Sequence, residues 1–311
     1  MRGPLKVFSH AKVNLFLEVL AKRPDGYHDL ETLFERISLA DEITLSRAQA
    51  GIRVSSDSSQ IPKGPKNLAY RAAKLLKETY GLKQGIVIRI KKRIPLAAGL
   101  GGGSSNAAAT LIGLNKLWHL KLSKERLSEL GAVLGSDVPF FILDSRFALG
   151  RGRGEILRTV KAPRVKIWHC LVTPAFGIST KKAYEDLDRM LLAPPPVWSA
   201  AADRLQHNRN KQVVGLTPTS ANVRILLHSI QKGRLETLEK LLTNSLEHAL
   251  NNRVIEISEI KKDLKHHGAM ACLLSGSGST VFGIFKSKKD ASHAARFLRK
   301  TGRKIFVAST F

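Results

Sequence analysis

Pro95-Leu96-Ala97-Ala98-Gly99-Leu100-Gly101-Gly102-Gly103-Ser104-Ser105-Asn106-Ala107-Ala108-Ala109 is the stretch that decides how this chain reads. A β-type run, Ile86–Ile90, leads into it, and an alanine-rich segment through Leu111, Leu114 and Leu117 follows. Strand, glycine loop and helix start, in that order, aim several backbone N–H groups at one spot, and the helix dipole adds partial positive charge there. Glycines allow a phosphate to approach the backbone without Cβ clashes. Ser104 and Ser105 are expected to cap the helix, to donate to phosphate oxygens or to ligate Mg2+.

The loop is not a Walker A sequence, because no Gly-Lys-Ser/Thr follows the glycines. Nor is it a dinucleotide fingerprint: Gly99-x-Gly101 is followed by Ser104 where a third glycine belongs, and the join to the strand runs through Pro95. The plain alternative is a glycine-rich turn with a serine-capped helix. The length of the cluster and the helix behind it favour phosphate binding.

With 311 residues and 43% hydrophobic content the chain can build a real core, and its size suits two domains. No apolar run reaches the ~18 residues of a membrane span, and Met1–His10 lacks a signal-peptide apolar region, so a cytoplasmic protein is expected. Cys170 and Cys272 lie in apolar runs and read as buried thiols, not as a disulfide or metal framework. The net charge is +26, with 51 Lys and Arg against 25 Asp and Glu. That balance raises nucleic-acid binding, but the charges are scattered and only 6% of residues are aromatic, so a solvated basic surface is the better reading.

Ahead of the loop, residues 5–20 alternate as a strand and place Lys12, Asn14 and Phe16 on one face. Lys and Asn there mean either a solvated face or a cation and an amide aimed at a ligand. Arg23-Pro24-Asp25-Gly26-Tyr27-His28 is a turn, and His28 taken alone is a surface histidine. Leu30–Leu39, Asp41–Leu45 and Gly51–Ser55 read as strands, and Asn67 caps a helix ended by Gly81. Beyond the loop, Ser123 caps a helix that stops at Gly135. Asp137 then sits in a short loop before an apolar, strand-like run starting Val138-Pro139-Phe140-Phe141, where it serves either turn chemistry or as a held carboxylate. Ala148–Glu155 is a Gly/Arg turn region. Residues 165–308 read as an α+β half, strand, helices, two strands, helix, strand, with a second glycine loop at Ser275-Gly276-Ser277-Gly278-Ser279. The segment from Pro194 to about Pro218 is polar, irregular and expected to be the most mobile.

Three separated pieces, Ala11-Lys12-Val13-Asn14, Pro95–Ala109 and Leu274–Gly278, resemble in order and spacing the motifs of the GHMP kinase superfamily. Lys12-x-Asn14, Asp25-Gly26-Tyr27-His28, Gly99–Ala108 and Leu134-Gly135-Ser136-Asp137-Val138-Pro139 narrow the likeness to the branch that phosphorylates 4-diphosphocytidyl-2-C-methyl-D-erythritol on its 2-hydroxyl. The resemblance implies an α+β fold of two domains. Residues 1–158 would form a ribosomal-protein-S5-domain-2-like α/β domain, residues 159–311 an α+β domain, with the active site in the cleft between them.

It also implies roles. Asp137 would accept the substrate hydroxyl proton, and Lys12 would neutralise charge developing on the transferred group. Pro95, Gly99, Leu100, Gly101, Gly102, Gly103, Ser104 and Ser105 would hold the ATP phosphates, with Asn67 near the adenine. Asn14, Tyr27, His28 and Tyr184 would bind the cytidyl substrate, and Ser275, Gly276, Ser277 and Gly278 would close over it. ATP and Mg2+ are the implied cofactors. Mg2+ would arrive on ATP with no protein ligand set of its own; Ser105 is the candidate contact, and the sequence does not choose between it and Ser104. Ser9-His10, where the family usually carries a small residue or proline, reads as peripheral. A monomer or weak homodimer, with no membrane or nucleic-acid partner, is expected. The competing readings are a kinase of the same superfamily acting on mevalonate or homoserine, an RNA-binding module on an S5-like fold, and a catalytically dead homologue.

Overall fold

The computed structural model describes residues 3–161, 163, 166–192, 221–250, 253–299 and 302–311. The segment 193–220, including the polar stretch expected to be mobile, lies outside the described residues. The chain forms two compact units, one from residues 1–12, 36–96 and 101–145, the other from 13–35, 97–100 and 146–311.

In the first unit the last half of β2 (His28–Ala48), β3 (Ile52–Ser56) and β4 (Gly85–Lys91) form one sheet with β4 in the middle. β4 is antiparallel to β2, with Ile43 opposite Ile90 and Leu45 opposite Ile88, and parallel to β3, with Val54 opposite Ile88. A parallel pair needs a crossover, and α1 (Leu68–Thr79) supplies it. Asn67 caps α1 as the sequence predicts, its side chain accepting from the Ala69 N–H at 2.8 Å. The isoleucines and Leu45 face inward, under α1 through Ala69, Ala72, Ala73 and Leu76 and under α2 (Gly102–Leu117). Gly113 lets α2 approach: a Cβ there would lie 2.4 Å from Leu45 Cδ1. Ser123 and Gly135 bound α3 (Lys124–Leu134), as expected.

Two expectations fail in this unit. The run after Asp137 is a helix, α4 (Val138–Leu143), not a strand. An apolar run this short carries no periodicity to separate a buried strand from a buried helix, and a proline in the first helical turn favours the latter. The separate strands read at Leu30–Leu39 and Asp41–Leu45 are one continuous β2.

In the second unit β1 (Leu5–Lys22), over its later half, lies between β2 and β8 (Thr243–Asn244), Phe16 opposite Thr243. The first half of β2 pairs with β5 (Phe147–Arg151), which pairs with β6 (Ile156–Val160). The Gly/Arg region read as a turn is the turn of this hairpin, residues 152–155, together with the end of β5. Gly150 is needed in it, because a Cβ would come within 2.8 Å of the Phe34 ring. A four-stranded antiparallel sheet follows, in the order β11 (Lys304–Ser309), β7 (Trp168–Thr173), β10 (Val281–Phe285), β9 (Ala271–Leu274). It packs on α5 (Thr180–Leu192), α7 (Val254–His266) and α8 (Lys288–Phe297), with α6 (Ala221–Gln231) preceding α7 in the chain. Cys170 and Val172 meet Ile257, Ile260, Leu264, Ala291 and Ala294 in one core. The order expected for this half is found in β7, α5, β9, β10, α8 and β11, but the short strand β8, between α6 and α7, is an addition that the sequence reading lacks. Cys170 is fully buried and Cys272 half-buried, both as free thiols, and burial pushes each up to about 12.

Candidate active site

Helix α2 starts from the glycine loop, but not with a serine cap. Gly101 occupies the capping position in the left-handed region (φ 68°), where a side chain is strained, and no side chain caps the end. The N–H groups of Gly102, Gly103 and Ser104 are therefore left for a ligand. Ser104 and Ser105 lie within the first turn; Ser105 is 2% exposed.

Lys12 comes to this helix start from β1. A Cβ on Gly101 would sit 3.1 Å from Lys12 Cγ and 3.0 Å from the Phe141 ring, so the lysine stem runs along the bare face of that glycine. Its Nζ lies 3.6 Å from Asp137 Oδ2. Burial drives the Lys12 pKa below its ordinary value, and the Asp137 charge partly opposes that. Asp137 stands at the capping position of α4, yet its carboxylate accepts no bond from that helix. Unlike most capping aspartates it is left for Lys12 and for solvent, with its side chain 32% exposed. Gly135, two residues before it, is 3.8 Å by its would-be Cβ from Ser104 Oγ. Three predicted residue groups, Lys12, Asp137 and the start of α2, thus converge within the first unit. Chemically they offer oriented N–H donors, one ammonium and one carboxylate.

Asn67 sits next to this point, since Leu68 touches Gly103. Its amide is committed at both ends, to the Ala69 N–H and to the Pro62 carbonyl. Pro95 belongs to the same unit, whereas Gly99 and Leu100 belong to the other.

The second unit gathers a different set. His28 is buried, not a surface residue: its Nε2 is 2.7 Å from Asp188 Oδ1, and its ring stacks on Tyr184 at 4.9 Å between centroids. Lys22 holds the other Asp188 oxygen at 2.7 Å. Burial works to raise the Asp188 pKa, but the bonds from Lys22 and His28 outweigh it and the net shift is downward. Neither Asp188 nor Lys22 announces itself in the sequence; both lie among ordinary surface charges. Tyr27 is exposed, with the Arg153 guanidinium 4.7 Å over its ring. Asn14 is buried and donates to Thr32 Oγ1, which in turn donates to the Phe16 carbonyl.

The second glycine loop is a tight turn, and several of its polar atoms are occupied. Ser275 Oγ donates to the Gly99 carbonyl at 3.0 Å, and the Gly276 carbonyl accepts from Asn244. Ser277 Oγ meets Thr180 Oγ1 at 3.0 Å, and the Gly278 N–H donates to Ser275. Gly99 is required there: at φ 72° its Cβ would fall 1.9 Å from the Ser275 carbonyl oxygen.

Sequence comparison gives two matches to family models, GHMP kinases N terminal domain over residues 67–145 and GHMP kinases C terminal over residues 226–304. A 4-diphosphocytidyl-2-C-methyl-D-erythritol kinase of Geobacillus kaustophilus is 41% identical, over 97% of this chain and 96% of its own. The chain belongs to the GHMP kinases, in their 4-diphosphocytidyl-2-C-methyl-D-erythritol kinase family. It is therefore a phosphotransferase that uses ATP, of the two-part α+β GHMP kinase fold. A crystal structure of a 4-(cytidine 5'-diphospho)-2C-methyl-D-erythritol kinase superposes with a TM-score of 0.76 at 31% identity, covering 98% of both chains. An L. major mevalonate kinase solved with R-mevalonate gives a TM-score of 0.73 at 19% identity over 98% of this chain and 95% of that one, which speaks for the shared fold alone.

Among the described residues no group of three or more His, Cys, Asp or Glu side chains is placed to hold a metal ion. A cation arriving on ATP would depend on phosphate oxygens, with a loop serine as the protein's oxygen donor. Among the described residues no helix is long and apolar enough to cross a membrane.

Proposed function

We propose that the chain transfers the γ-phosphoryl group of ATP to the 2-hydroxyl of 4-diphosphocytidyl-2-C-methyl-D-erythritol. The products are ADP and the 2-phosphate, in the methylerythritol phosphate route to isoprenoid precursors. The observation that carries this reading is the Lys12–Asp137 pair at the uncapped start of α2, in a chain of this family.

In this reading the 2-hydroxyl gives its proton to the Asp137 carboxylate as its oxygen bonds to the γ-phosphorus. The bond from that phosphorus to the bridging oxygen breaks, and ADP leaves with the electron pair. The Lys12 ammonium offsets negative charge on the group in transfer, and its burial makes that charge act through a weakly screening medium. Backbone N–H groups of Gly102, Gly103 and Ser104 hold phosphate oxygens, with Gly101 setting their direction. Pro95, Gly99 and Leu100 shape the approach to the loop, and Asn67 borders the nucleotide. Mg2+ on the ATP phosphates would reduce their charge and orient the γ-group.

His28, Tyr27, Tyr184 and Asn14 are assigned to the cytidyl part. With Nε2 bonded to Asp188, His28 has Nδ1 left for the edge of a base, and Tyr184 offers an aromatic face beside it. Ser275 to Gly278 act by fixing Gly99 and the backbone around it. A division into residues 1–158 and 159–311 is kept as part of this reading, although the compact units place 13–35, 97–100 and 146–158 with the later part of the chain.

The test is an acceptor panel. Purified protein with Mg-ATP is offered 4-diphosphocytidyl-2-C-methyl-D-erythritol, mevalonate and homoserine, and phosphorylated product is measured. The proposal expects turnover with the first at a kcat/KM far above the others. Comparable turnover of mevalonate or homoserine would overturn it.

A further inference from the structure

The loop helix is wired to a buried carboxylate by residues that the reaction does not otherwise use. Asp41 is fully buried and accepts four hydrogen bonds: the Arg93 and Ile94 N–H groups on Oδ1, at 2.7 and 2.8 Å, and Lys92 Nζ and Asn106 Nδ2 on Oδ2, at 2.5 and 2.9 Å. Only the NH2 end of an amide can face those oxygens, so Asp41 fixes which way Asn106 points. The second Asn106 N–H goes to Ser9 Oγ at 2.8 Å. Among the described residues Ser9 has one further partner, Ser105 Oγ at 2.8 Å, and gives its single proton there.

Ser105 thus receives a proton from Ser9 and keeps its own. Its hydroxyl has no acceptor among the described residues, although Ser105 is only 2% exposed. The usual outlet for a helical hydroxyl is the carbonyl one turn back. Thr110 uses it, donating to the Asn106 carbonyl at 2.7 Å; Ser105 does not. A buried hydroxyl with an unspent proton one turn into a phosphate-loop helix is matched to an anionic oxygen.

We propose that Ser9 and Asn106, anchored on Asp41, are positioning residues that hold Ser105 as a hydrogen-bond donor to the ATP phosphates. The relay runs one way, from amide to hydroxyl to hydroxyl. Ser9, which reads as peripheral in the sequence, is its middle member. The proposal rests on the reading that the start of α2 holds those phosphates.

The test is equilibrium binding of ATP without the acceptor alcohol, with Mg2+ and again with EDTA, to Ser105→Ala, Ser9→Ala, the double variant and Gly102→Ala. Melting temperatures check that each variant is folded. Ser105→Ala should weaken ATP about tenfold, the scale of one hydrogen bond to a charged group, with and without Mg2+. Ser9→Ala should weaken it about threefold or more, and the double variant should match Ser105→Ala, because Ser9 acts only through Ser105. Should Ser9→Ala not fold, Ser9→Cys serves the same arm with a weak donor. Full additivity of the two serine variants would overturn the relay. So would unchanged affinity in Ser105→Ala while Gly102→Ala binds weakly. Unchanged affinity in both Ser105→Ala and Gly102→Ala would overturn the phosphate-loop reading and the relay with it.

Discussion

Asp137 Oδ2 lies 3.6 Å from Lys12 Nζ, and neither group is used to cap the helix nearest to it. The lysine is 5% exposed and the aspartate 32%, so the cation is enclosed by the protein and the carboxylate reaches solvent. Lys12→Met removes a buried charge from the place where negative charge would develop. It should lower kcat by about 10²–10³, the scale of one preorganised electrostatic contact, and change ATP affinity much less. Steady-state kinetics beside ATP binding would show the split.

The pH dependence follows from the same lysine. Burial lowers its pKa from 10.5, so between the folded and unfolded values the unfolded chain binds more protons than the folded one. The penalty of keeping Lys12 charged is present in full below the folded pKa and is relieved as pH rises through it toward 10.5. Activity runs the other way, since the neutral amine offsets no charge. The alkaline limb of kcat/KM should therefore begin below 10.5 and move to higher pH in Lys12→Arg, whose guanidinium stays charged. An alkaline limb identical in both proteins would count against it.

Gly101 carries two requirements at once, a left-handed φ of 68° and contact with the Lys12 stem. Gly101→Ala should destabilise the fold by about 1–2 kcal/mol from backbone strain alone. Because the new methyl meets Lys12 and Phe141, turnover should fall further than stability predicts. Thermal melting and kcat, measured on the same preparation, separate the two.

His28 and Tyr184 stack on each other, and Asp188 holds the histidine. His28→Ala and Tyr184→Ala should each raise KM for the cytidyl substrate about tenfold or more, with KM for ATP nearly unchanged, as loss of an aromatic or hydrogen-bonding contact would do. Asp188→Asn should act in the same direction and more weakly. Equal effects on both substrates would move these residues out of the cytidyl site.

The two thiols, both pushed up to about 12, are almost wholly protonated at neutral pH. Iodoacetamide at pH 8 should label neither Cys170 nor Cys272 at an appreciable rate in the native protein, and both on unfolding in guanidinium. Mass spectrometry of time points reads this directly.

Much of the first unit is legible in the sequence because local chemistry and structure agree there. Asn67, Ser123 and Gly135 mark helix ends by capping rules and serve as such. The helix start misleads at Ser104 and Ser105, because the best capping residue types stand three and four positions too late and a left-handed glycine takes their place. Phe140, Phe141 and Ile142 hide α4, since a short apolar helix buried over most of its length shows no polar face. Asp41-Glu42 reads as a break between strands, although Asp41 is buried by four donors that lie as far as 65 residues away in the chain. Ser9 and Asp188 are invisible for the same reason: their partners are distant in sequence, and a lone serine or aspartate carries no pattern.

The central claim is that Asp137 takes the hydroxyl proton in phosphoryl transfer to the cytidyl alcohol. The most direct measurement is ADP release from Mg-ATP and 4-diphosphocytidyl-2-C-methyl-D-erythritol by the wild type and by Asp137→Asn, with ATP affinity measured on both. The account predicts turnover in the wild type, a loss of about 10²–10⁴ in kcat in the variant, and ATP affinity largely kept. Near-wild-type turnover in Asp137→Asn would contradict it.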